Sequence, residues 1–242
     1  MSVFAIGDLH LSFGDNVDKP MDVFGPAWEG YAEKLKKNWE ETVAPGDTVI
    51  IPGDVSWGLR LEDALTDLAW LDSLPGTKVL VRGNHDLWWS SMAKMRKLFE
   101  SVKFIQNDAY QGEGFIVMGS RGWTCPGDAH FAEADDRKIY TREVMRLGMS
   151  AAAAAKLMEG ARQRGEEPVM LGAMHYPPTN EKKQPSEFTQ IFGAAGCRTV
   201  VYGHLHGEHA FYNGPFGEYD GAEYLLCSLD KLQCMPKLIL EC

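Results

Sequence analysis

Short apolar segments that end at a glycine and lead into metal-ligating side chains constrain this chain more than any other feature. In the clearest instance, the apolar residues 79–81 lead into Gly83-Asn84-His85-Asp86. A strand that stops there delivers an amide, an imidazole and a carboxylate into one tight turn at the rim of a sheet, where α/β proteins carry out chemistry. Gly-Asn also forms ordinary turns, so the tetrapeptide alone does not indicate a functional site. Other segments of the same kind support that interpretation.

Four further apolar segments lead into the same residue types. Each is short and lies next to glycine, which predicts a buried strand. In chain order, residues 3–6 precede Gly7-Asp8-Leu9-His10, residues 48–51 precede Gly53-Asp54, residues 169–172 precede His175, and residues 199–202 precede Gly203-His204-Leu205-His206. The sequence therefore places acids, an amide and imidazoles directly behind a series of predicted strands.

Helical spacing separates the first three predicted strands. Residues 29–43 repeat large apolar side chains at every fourth position, and residues 62–71 form a second amphipathic segment. Strands that alternate with helices predict βαβ units and a parallel sheet. Right-handed crossovers then put the carboxyl ends of these strands at one edge. We therefore expect convergence there of Asp8, His10, Asp54, Asn84 and His85.

The rest of the chain is predicted to contain further helices and strands. In chain order, helices are expected at residues 91–100, 132–164 and 188–195, and strands at residues 102–105, 115–119, 210–212, 223–227 and 237–240. The long helical segment is interpreted as one or two helices that partly cap the sheet edge, and the last three strands as antiparallel β-structure. No repeat or linker divides the sequence, so we expect one domain over residues 1–242.

Composition restricts the partners and the compartment. The formal net charge of -10 provides no broad positive field for long nucleic acid or an anionic membrane. The cysteines at positions 125, 197, 227, 234 and 242 are odd in number and form no C-x-x-C pair, which predicts free thiols in a reducing compartment. No signal peptide or membrane-length apolar run is present, so a cytoplasmic protein is expected. The oligomeric state is not determined by the sequence.

Five of the seven histidines follow predicted strands. Any one of them is most simply a core or turn histidine. All of them together with Asp8, Asp54 and Asn84 would crowd imidazoles and carboxylates without partners, and bound metal relieves that crowding. His130 and His209 lack this setting and are interpreted as surface or outer residues.

The predicted ligand set is too large for one tetrahedral zinc ion. It suits two first-row divalent ions that share a carboxylate, the arrangement that acts on phosphate esters. Nitrogen and oxygen ligands without cysteine favour manganese, with iron or zinc as alternatives. The set comprises Asp8, Asp54, Asn84 and four of the five histidines that follow predicted strands, His10, His85, His175, His204 and His206.

These segments, in this order, resemble the calcineurin-like metallophosphoesterases, and the resemblance runs from the first strand to about residue 206. It implies an α/β fold, a four-layer α/β/β/α sandwich of two mixed sheets, with a dimetal site at the C-terminal strand edges. It further implies that Asp8, His10 and His206 bind one ion, that Asn84, His175 and His204 bind the other, and that Asp54 bridges them. His85 would be a second-sphere acid, Asp86 would orient its imidazole, and a metal-bridging hydroxide would be the nucleophile.

Differences from two branches of that family restrict the class of substrate that we expect. Asp54 is followed by Val55-Ser56-Trp57-Gly58, which lacks the Asp-Arg pair of the protein Ser/Thr phosphatases. Trp57 stands where purple acid phosphatases have a tyrosine ligand, so their ferric charge-transfer colour is not expected. Leu11 replaces the usual glycine after the first histidine and changes the start of a long loop.

The sequence thus predicts a dimetal-dependent hydrolase of a small phosphate mono- or diester. Arg121 and Trp123, which follow a predicted strand, are candidates for substrate binding, with a solvated arginine and a core tryptophan as the alternatives. Two other functions stay open. One is a nucleotide phosphodiesterase or nuclease. The other is a non-catalytic metal-binding scaffold on the same fold, although this chain retains every predicted ligand and His85.

Overall fold

The computed structural model describes residues 1–241. The strands, in chain order, are β1 (Ser2–Ala5), β2 (Thr48–Ile51), β3 (Thr77–Val81), β4 (Val102–Ile105), β5 (Ala109–Gly112), β6 (Phe115–Ser120), β7 (Val169–Met174), β8 (Thr199–Tyr202), β9 (Gly217–Tyr219), β10 (Ala222–Leu226) and β11 (Lys237–Glu241). The helices are α1 (Tyr31–Thr42), α2 (Leu61–Ser73), α3 (Met92–Met95), α4 (Glu133–Gln163) and α5 (Glu187–Ala194). Short 3-10 turns occupy Asp22–Phe24, Pro26–Trp28 and Ala210–Tyr212.

The first sheet has the strand order β11-β1-β2-β3-β4. Strands β1 to β4 are mutually parallel, as predicted for the first three, and β11 closes the edge beside β1 in the antiparallel sense. The connections through α1 and α2 supply the crossovers that parallel strands require. Helix α1 buries Leu35 and Trp39, one turn apart, against this sheet.

The second sheet has the order β5-β6-β7-β8-β10-β9. Its central strands are parallel, and β5 and β9 are antiparallel edge strands. The expectation of antiparallel structure after residue 206 is therefore wrong for β10, which pairs parallel with β8. Residues 210–212 form a 3-10 turn rather than the predicted strand, and within residues 1–241 they pair with no strand of either sheet. Strand β5 was not predicted.

Alternation along the strands produces the layers. In β1, Val3 and Ala5 point into the core between the two sheets, whereas Phe4 points to the helices on the outer face. In β6, Phe115 and Val117 face the inter-sheet core in the same way. Successive side chains on a strand point to opposite faces, so a strand buried on both faces is apolar throughout. The result is the predicted four-layer α/β/β/α sandwich of two mixed sheets.

Helix α4 forms a layer of this sandwich. Tyr140, Leu147 and Ala154 on its inner face pack with Ile116 and Met118 of β6 on the outer side of the second sheet. The interpretation of this segment as a partial cap over the sheet edge is therefore wrong, because the helix buries its apolar face against the sheet.

The helix predicted at residues 91–100 is shorter in the structure, where only α3 is helical.

The described cysteines form no disulfide. Cys125, Cys197, Cys227 and Cys234 are buried free thiols, and Cys242 lies outside the described residues. Within residues 1–241, no helix is both long and apolar enough to cross a membrane.

Gly83 has no room for a side chain where β3 leaves the sheet. A Cβ atom added there would overlap both Asp54 Oδ1 and the Asp54 backbone nitrogen. We expect Gly83→Ala to lower the free energy of unfolding by about 1–3 kcal/mol, the usual cost of overpacking. The variant should also bind metal more weakly, because the added methyl group displaces Asp54. Urea unfolding monitored by circular dichroism measures the first effect.

The matched control is Gly148→Ala in helix α4, where an added Cβ meets no atom within 4 Å. Because alanine is a better helix residue than glycine, this variant should be unchanged or more stable by about 0.5–1 kcal/mol. Equal stability of the two variants would contradict the steric argument.

Candidate metal centre

The predicted ligands lie in one cleft at the carboxyl ends of strands from both sheets. Asp8 and His10 follow β1, Asp54 follows β2, and Asn84 follows β3. The second sheet contributes His175 directly after β7, and His204 and His206 after β8. Asp8, His10, Asp54 and His175 are almost completely buried, and the other three are partly buried. The convergence predicted for the first sheet therefore extends to the second.

Four of these residues have an unusual backbone conformation. Asp8, His10, Asp54 and His204 have φ values of 56°, 47°, 52° and 73°. Non-glycine residues rarely adopt the left-handed region, and they do so at positions that the surrounding structure fixes. Backbone hydrogen bonds provide this here: the amides of Asp8 and His10 donate to the carbonyls of Gly53 and Asp54, each at 3.0 Å. The loops after β1 and β2 thus hold each other in place.

The first ligand group consists of Asp8, His10 and His206. One ligand atom from each lies within 4.8 Å of the others. The Nε2 atoms of His10 and His206 face each other at 3.3 Å, and His206 Nε2 lies 3.9 Å from Asp8 Oδ1. These three side chains are the set that the resemblance assigns to one ion.

The second ligand group surrounds His175. Its Nε2 lies 2.6 Å from Asn84 Oδ1, 3.2 Å from His204 Nδ1 and 3.3 Å from Asp54 Oδ2. His204 Nδ1 is also 3.0 Å from Asn84 Oδ1. The other nitrogen of His175, Nδ1, lies 3.0 Å from the Pro52 carbonyl. A carbonyl only accepts, so Nδ1 carries the proton and Nε2 directs its lone pair at the cluster.

The donor chemistry of this cleft fits divalent cations. The His175 lone pair, the Asn84 carbonyl oxygen and the Asp54 carboxylate converge although none of these atoms has a proton to donate to another. Asp8, Asp54 and His175 also lie within 4.8 Å of one another, so the two ligand groups are contiguous. Crowded nitrogen and oxygen acceptors of this kind are what first-row divalent ions satisfy.

Burial shifts the titration of the ligands. It raises the pKa of Asp8 to about 7 and that of Asp54 to about 6, because a carboxylate charge is poorly solvated here. Burial lowers the pKa of His175 to about 3, and it also lowers the pKa values of His10 and His204. The three imidazoles are therefore neutral at physiological pH, which is the form that binds a metal.

His85 lies beside the ligands without belonging to either group. Its backbone amide donates to Asp54 Oδ1 at 2.8 Å, and its ring lies 4.3 Å from the Trp57 ring and 5.7 Å from the His10 ring, between centroids. Trp57 stacks on His10 at 4.8 Å. The indole is thus a wall of the cleft that orients two imidazoles, and it does not act as a ligand.

Asp86 has partners other than the predicted one. Its buried carboxylate accepts hydrogen bonds from the backbone amides of Gly83, Asp54 and Val55 at 2.7–2.9 Å and from the Trp88 indole at 3.0 Å. Among the described residues it has no hydrogen bond to the His85 imidazole. The role predicted for Asp86 therefore needs correction: its oxygens are occupied by amides that fasten the loops after β2 and β3 together.

Arg121 and Trp123 lie near the ligands but are engaged elsewhere. The Arg121 guanidinium pairs with buried Glu143 at 3.1 Å and lies 4.8 Å from the centre of the Trp123 ring. Its backbone carbonyl accepts from the amide of His175 at 3.2 Å. Its charge opposes the rise in the Asp54 pKa that burial causes. Among the described residues, neither side chain forms a hydrogen bond or an ion pair with a ligand side chain, so substrate binding by them stays a prediction.

Asp230 is a site residue that sequence reasoning missed. Its Oδ1 lies 3.1 Å from His206 Nδ1, and its Oδ2 accepts from the Gly207 amide at 3.0 Å. A carboxylate on the far nitrogen of a metal-binding imidazole fixes the ring and makes it a better ligand. Asp230 lies three residues after the predicted strand at residues 223–227, so its position behind a strand end was an available signal, although no glycine and no histidine stand beside it in Ser228-Leu229-Asp230.

Asp230→Asn should weaken metal binding by about 10–100-fold, the usual cost of losing such a partner. The amide keeps the shape of the side chain but removes the charge. Calorimetric titration of the metal-stripped protein with Mn²⁺ measures the affinity, and Asp220→Asn, at an exposed position in the loop before β10, is the control. If both variants bind like the wild type, Asp230 does not support His206.

Curated relatives align with parts of the chain. The Gene 66 protein of Mycobacterium phage D29 is 36% identical over 85 residues, which are 35% of this chain and 40% of the phage protein. The Gene 66 protein of Mycobacterium phage L5 is 40% identical over 58 residues, 24% of this chain and 28% of that protein. This chain thus matches less than half the length of either phage protein.

Two solved structures share the fold. A protein of unknown function from Aquifex aeolicus has a TM-score of 0.52 at 16% identity, covering 98% of this chain and 95% of its own. Phosphopantetheinyl hydrolase from Mycobacterium tuberculosis has a TM-score of 0.52 at 14% identity, covering 100% and 96%. At such identities the likeness is one of fold.

A family-wide match covers most of the sequence. The profile of the calcineurin-like phosphoesterases matches residues 1–208. This span contains His85 and every predicted metal ligand, and the clustered acids and histidines agree with the metal-binding character of that family. The chain is a member of the calcineurin-like phosphoesterase family.

Proposed function

We propose that this protein is a dimetal-dependent hydrolase of a small phosphate mono- or diester, with manganese as its metal. The observation that carries the proposal is the convergence of two contiguous ligand groups in one cleft, with the His85 imidazole beside them and outside both. A scaffold that only binds metal would not require a further imidazole held at the cleft by Trp57.

The protein residues have separable tasks in this reaction. Two bound divalent cations would supply Lewis acidity that activates water and offsets phosphoryl charge. Asp8, Asp54 and Asn84 would hold those ions together with the four ligating histidines. His85 would give a proton to the leaving oxygen, a step within the range of general acid catalysis. Asp86 would hold the loop of Asp54 next to the loop of His85 through its hydrogen bonds with backbone amides.

Arg121 is the side chain that we propose for contact with the phosphoryl group. It lies at the loop of His175, and its charge reaches Asp54. Release from Glu143, or a shared position between Glu143 and substrate, would bring a bidentate donor to a phosphate oxygen. Trp123 would hold the guanidinium plane by stacking.

The test uses p-nitrophenyl phosphate and bis(p-nitrophenyl) phosphate with metal-stripped protein reloaded with Mn²⁺, Zn²⁺ or Fe²⁺. We expect hydrolysis of at least one ester only after reloading, and most rapidly with Mn²⁺. The preferred ester distinguishes a phosphatase from a phosphodiesterase. If neither ester reacts while two metal ions are bound per chain, as measured by elemental analysis, the enzyme function fails and a metal-binding scaffold is favoured.

A further inference from the structure

An apolar pocket opens directly from the metal centre. It has a volume of about 570 Å³, and one of its walls contains the imidazoles of His10, His85 and His206. Hydrophobic side chains next to these imidazoles complete the lining, namely Met21, Phe24, Trp28 and Trp57. We propose that this pocket binds an uncharged alkyl or aryl leaving group of the phosphate ester. The inference rests on the proposed phosphoesterase function and specifies its substrate class.

The wall is built into the fold and is ordered by contacts with the ligands. Trp28 is 4% exposed, and its ring lies 5.5 Å from that of His206 and 5.8 Å from that of His10. The Tyr31 hydroxyl donates to the His10 carbonyl at 2.7 Å and fixes the end of the loop that carries Trp28. The long loop after β1 therefore places an aromatic surface against the first ligand group.

The pocket lining has a polar part, made of the three imidazoles and Asp230, and an apolar part. The end at the imidazoles would receive the phosphoryl group beside the metal ions. The apolar part of the lining, which includes Met21 and Phe24, carries no charge. Asp230 is the one carboxylate among the described lining residues, and it is occupied by His206 and the Gly207 amide. A charged or strongly polar group at the apolar part would lose its hydration without a replacement. The pocket therefore suits a ligand with phosphate at one end and an apolar group at the other.

The position of His85 decides which part of the ester fills the pocket. In hydrolysis the water oxygen bonds to phosphorus while the bond from phosphorus to the ester oxygen breaks, and the electron pair stays on that oxygen. One proton of the water stays on the phosphate, and the leaving oxygen takes its proton from the His85 imidazole. The second proton of the water passes to solvent, and His85 regains a proton from solvent before the next turnover. Because His85 lines the apolar pocket, the alcohol that it protonates is the group bound there.

Phe24 gives a clean way to test the pocket. It lines the pocket and is 68% exposed, whereas its neighbour Val23 is 72% exposed and does not line it. Phe24→Ser should therefore remove apolar surface from the pocket without unfolding the chain, and Val23→Ser is the matched control. Ala27→Phe, at an exposed lining position, should instead fill the pocket.

Binding of hexylphosphonate and ethylphosphonate to the manganese-loaded protein measures the preference by calorimetry. Each additional methylene contributes about fourfold in affinity when fully buried. We expect the wild type and Val23→Ser to bind the hexyl compound at least about tenfold more tightly, and Phe24→Ser and Ala27→Phe to lose most of that ratio. Equal affinities in the wild type, or an unchanged ratio in both pocket variants, would overturn the inference.

The readouts separate this inference from the proposed function. Phosphonate binding requires no turnover. A large preference for the hexyl compound without ester hydrolysis would therefore contradict the phosphoesterase function but support the apolar binding pocket. Hydrolysis of the chromogenic esters together with equal affinities for the two phosphonates would support the phosphoesterase function and contradict the apolar binding pocket. Products of ethyl hexyl phosphate report the orientation: release of hexanol supports the leaving-group assignment, and release of ethanol contradicts it.

Discussion

Asp54→Ala is expected to abolish phosphoesterase activity and to lower metal occupancy at the same time. Its carboxylate lies 3.3 Å from His175 Nε2 through one oxygen and accepts the His85 amide through the other. Asp8 also lies within 4.8 Å of ligand atoms in both groups, but the resemblance assigns it to the first ion. The loss in metal affinity should exceed the about 100-fold that removal of an outer-sphere partner can cost. Elemental analysis of the purified variant and hydrolysis of both chromogenic esters measure the two effects.

The control for this variant is Asp135→Ala, at an exposed position in the first turn of helix α4. It removes the same charge from the chain far from the ligands and should keep full occupancy and activity. A stable Asp54→Ala protein that retains two metal ions per chain would contradict the bridging position of Asp54.

His85→Ala should leave metal bound and lower turnover by roughly a hundredfold or more, the range of general acid catalysis. The imidazole lies against Trp57 and His10 but belongs to neither ligand group. Only the amide of His85 bonds Asp54, and alanine preserves that amide. Metal content, kcat and the affinity for an alkylphosphonate should be measured on the same preparation.

His209→Ala is the matched histidine control, because His209 is exposed and lies outside both ligand groups. It should resemble the wild type in metal content and in kcat. Loss of metal from His85→Ala to the same degree as from Asp54→Ala would move His85 into the ligand set. An unchanged kcat of His85→Ala with both esters would show that His85 does not donate the proton to the leaving oxygen.

Much of the fold followed from local patterns. Strands β2, β4 and β8 have the bounds that their apolar runs predict, and buried parallel strands between helices produce such runs. Errors arose where local preference and tertiary partners differ. Residues 210–212 contain aromatic residues that favour strands, but they form a 3-10 turn because strand propensity has no effect without a pairing partner.

The sequence by itself determined the residue types of the metal centre and their order. Each predicted ligand lies within a few residues of a strand end, and parallel strands between helices bring those ends to one edge. These are short-range features of the chain, so no knowledge of distant contacts was needed. The resemblance to calcineurin-like phosphoesterases rests on the same segments.

The tertiary structure alone decided which other residues serve the centre. Asp86 reaches amides 31 and 32 positions away, and Asp230 reaches a histidine 24 positions away. The apolar pocket likewise combines the loop before α1 with residues that follow β3 and β8. Such contacts depend on how the loops fold over the sheet edge, and the spacing of residues behind the strand ends does not say which partner each side chain meets. The chemistry of the site is therefore local in the sequence, whereas its support and its fit for a substrate are set by packing.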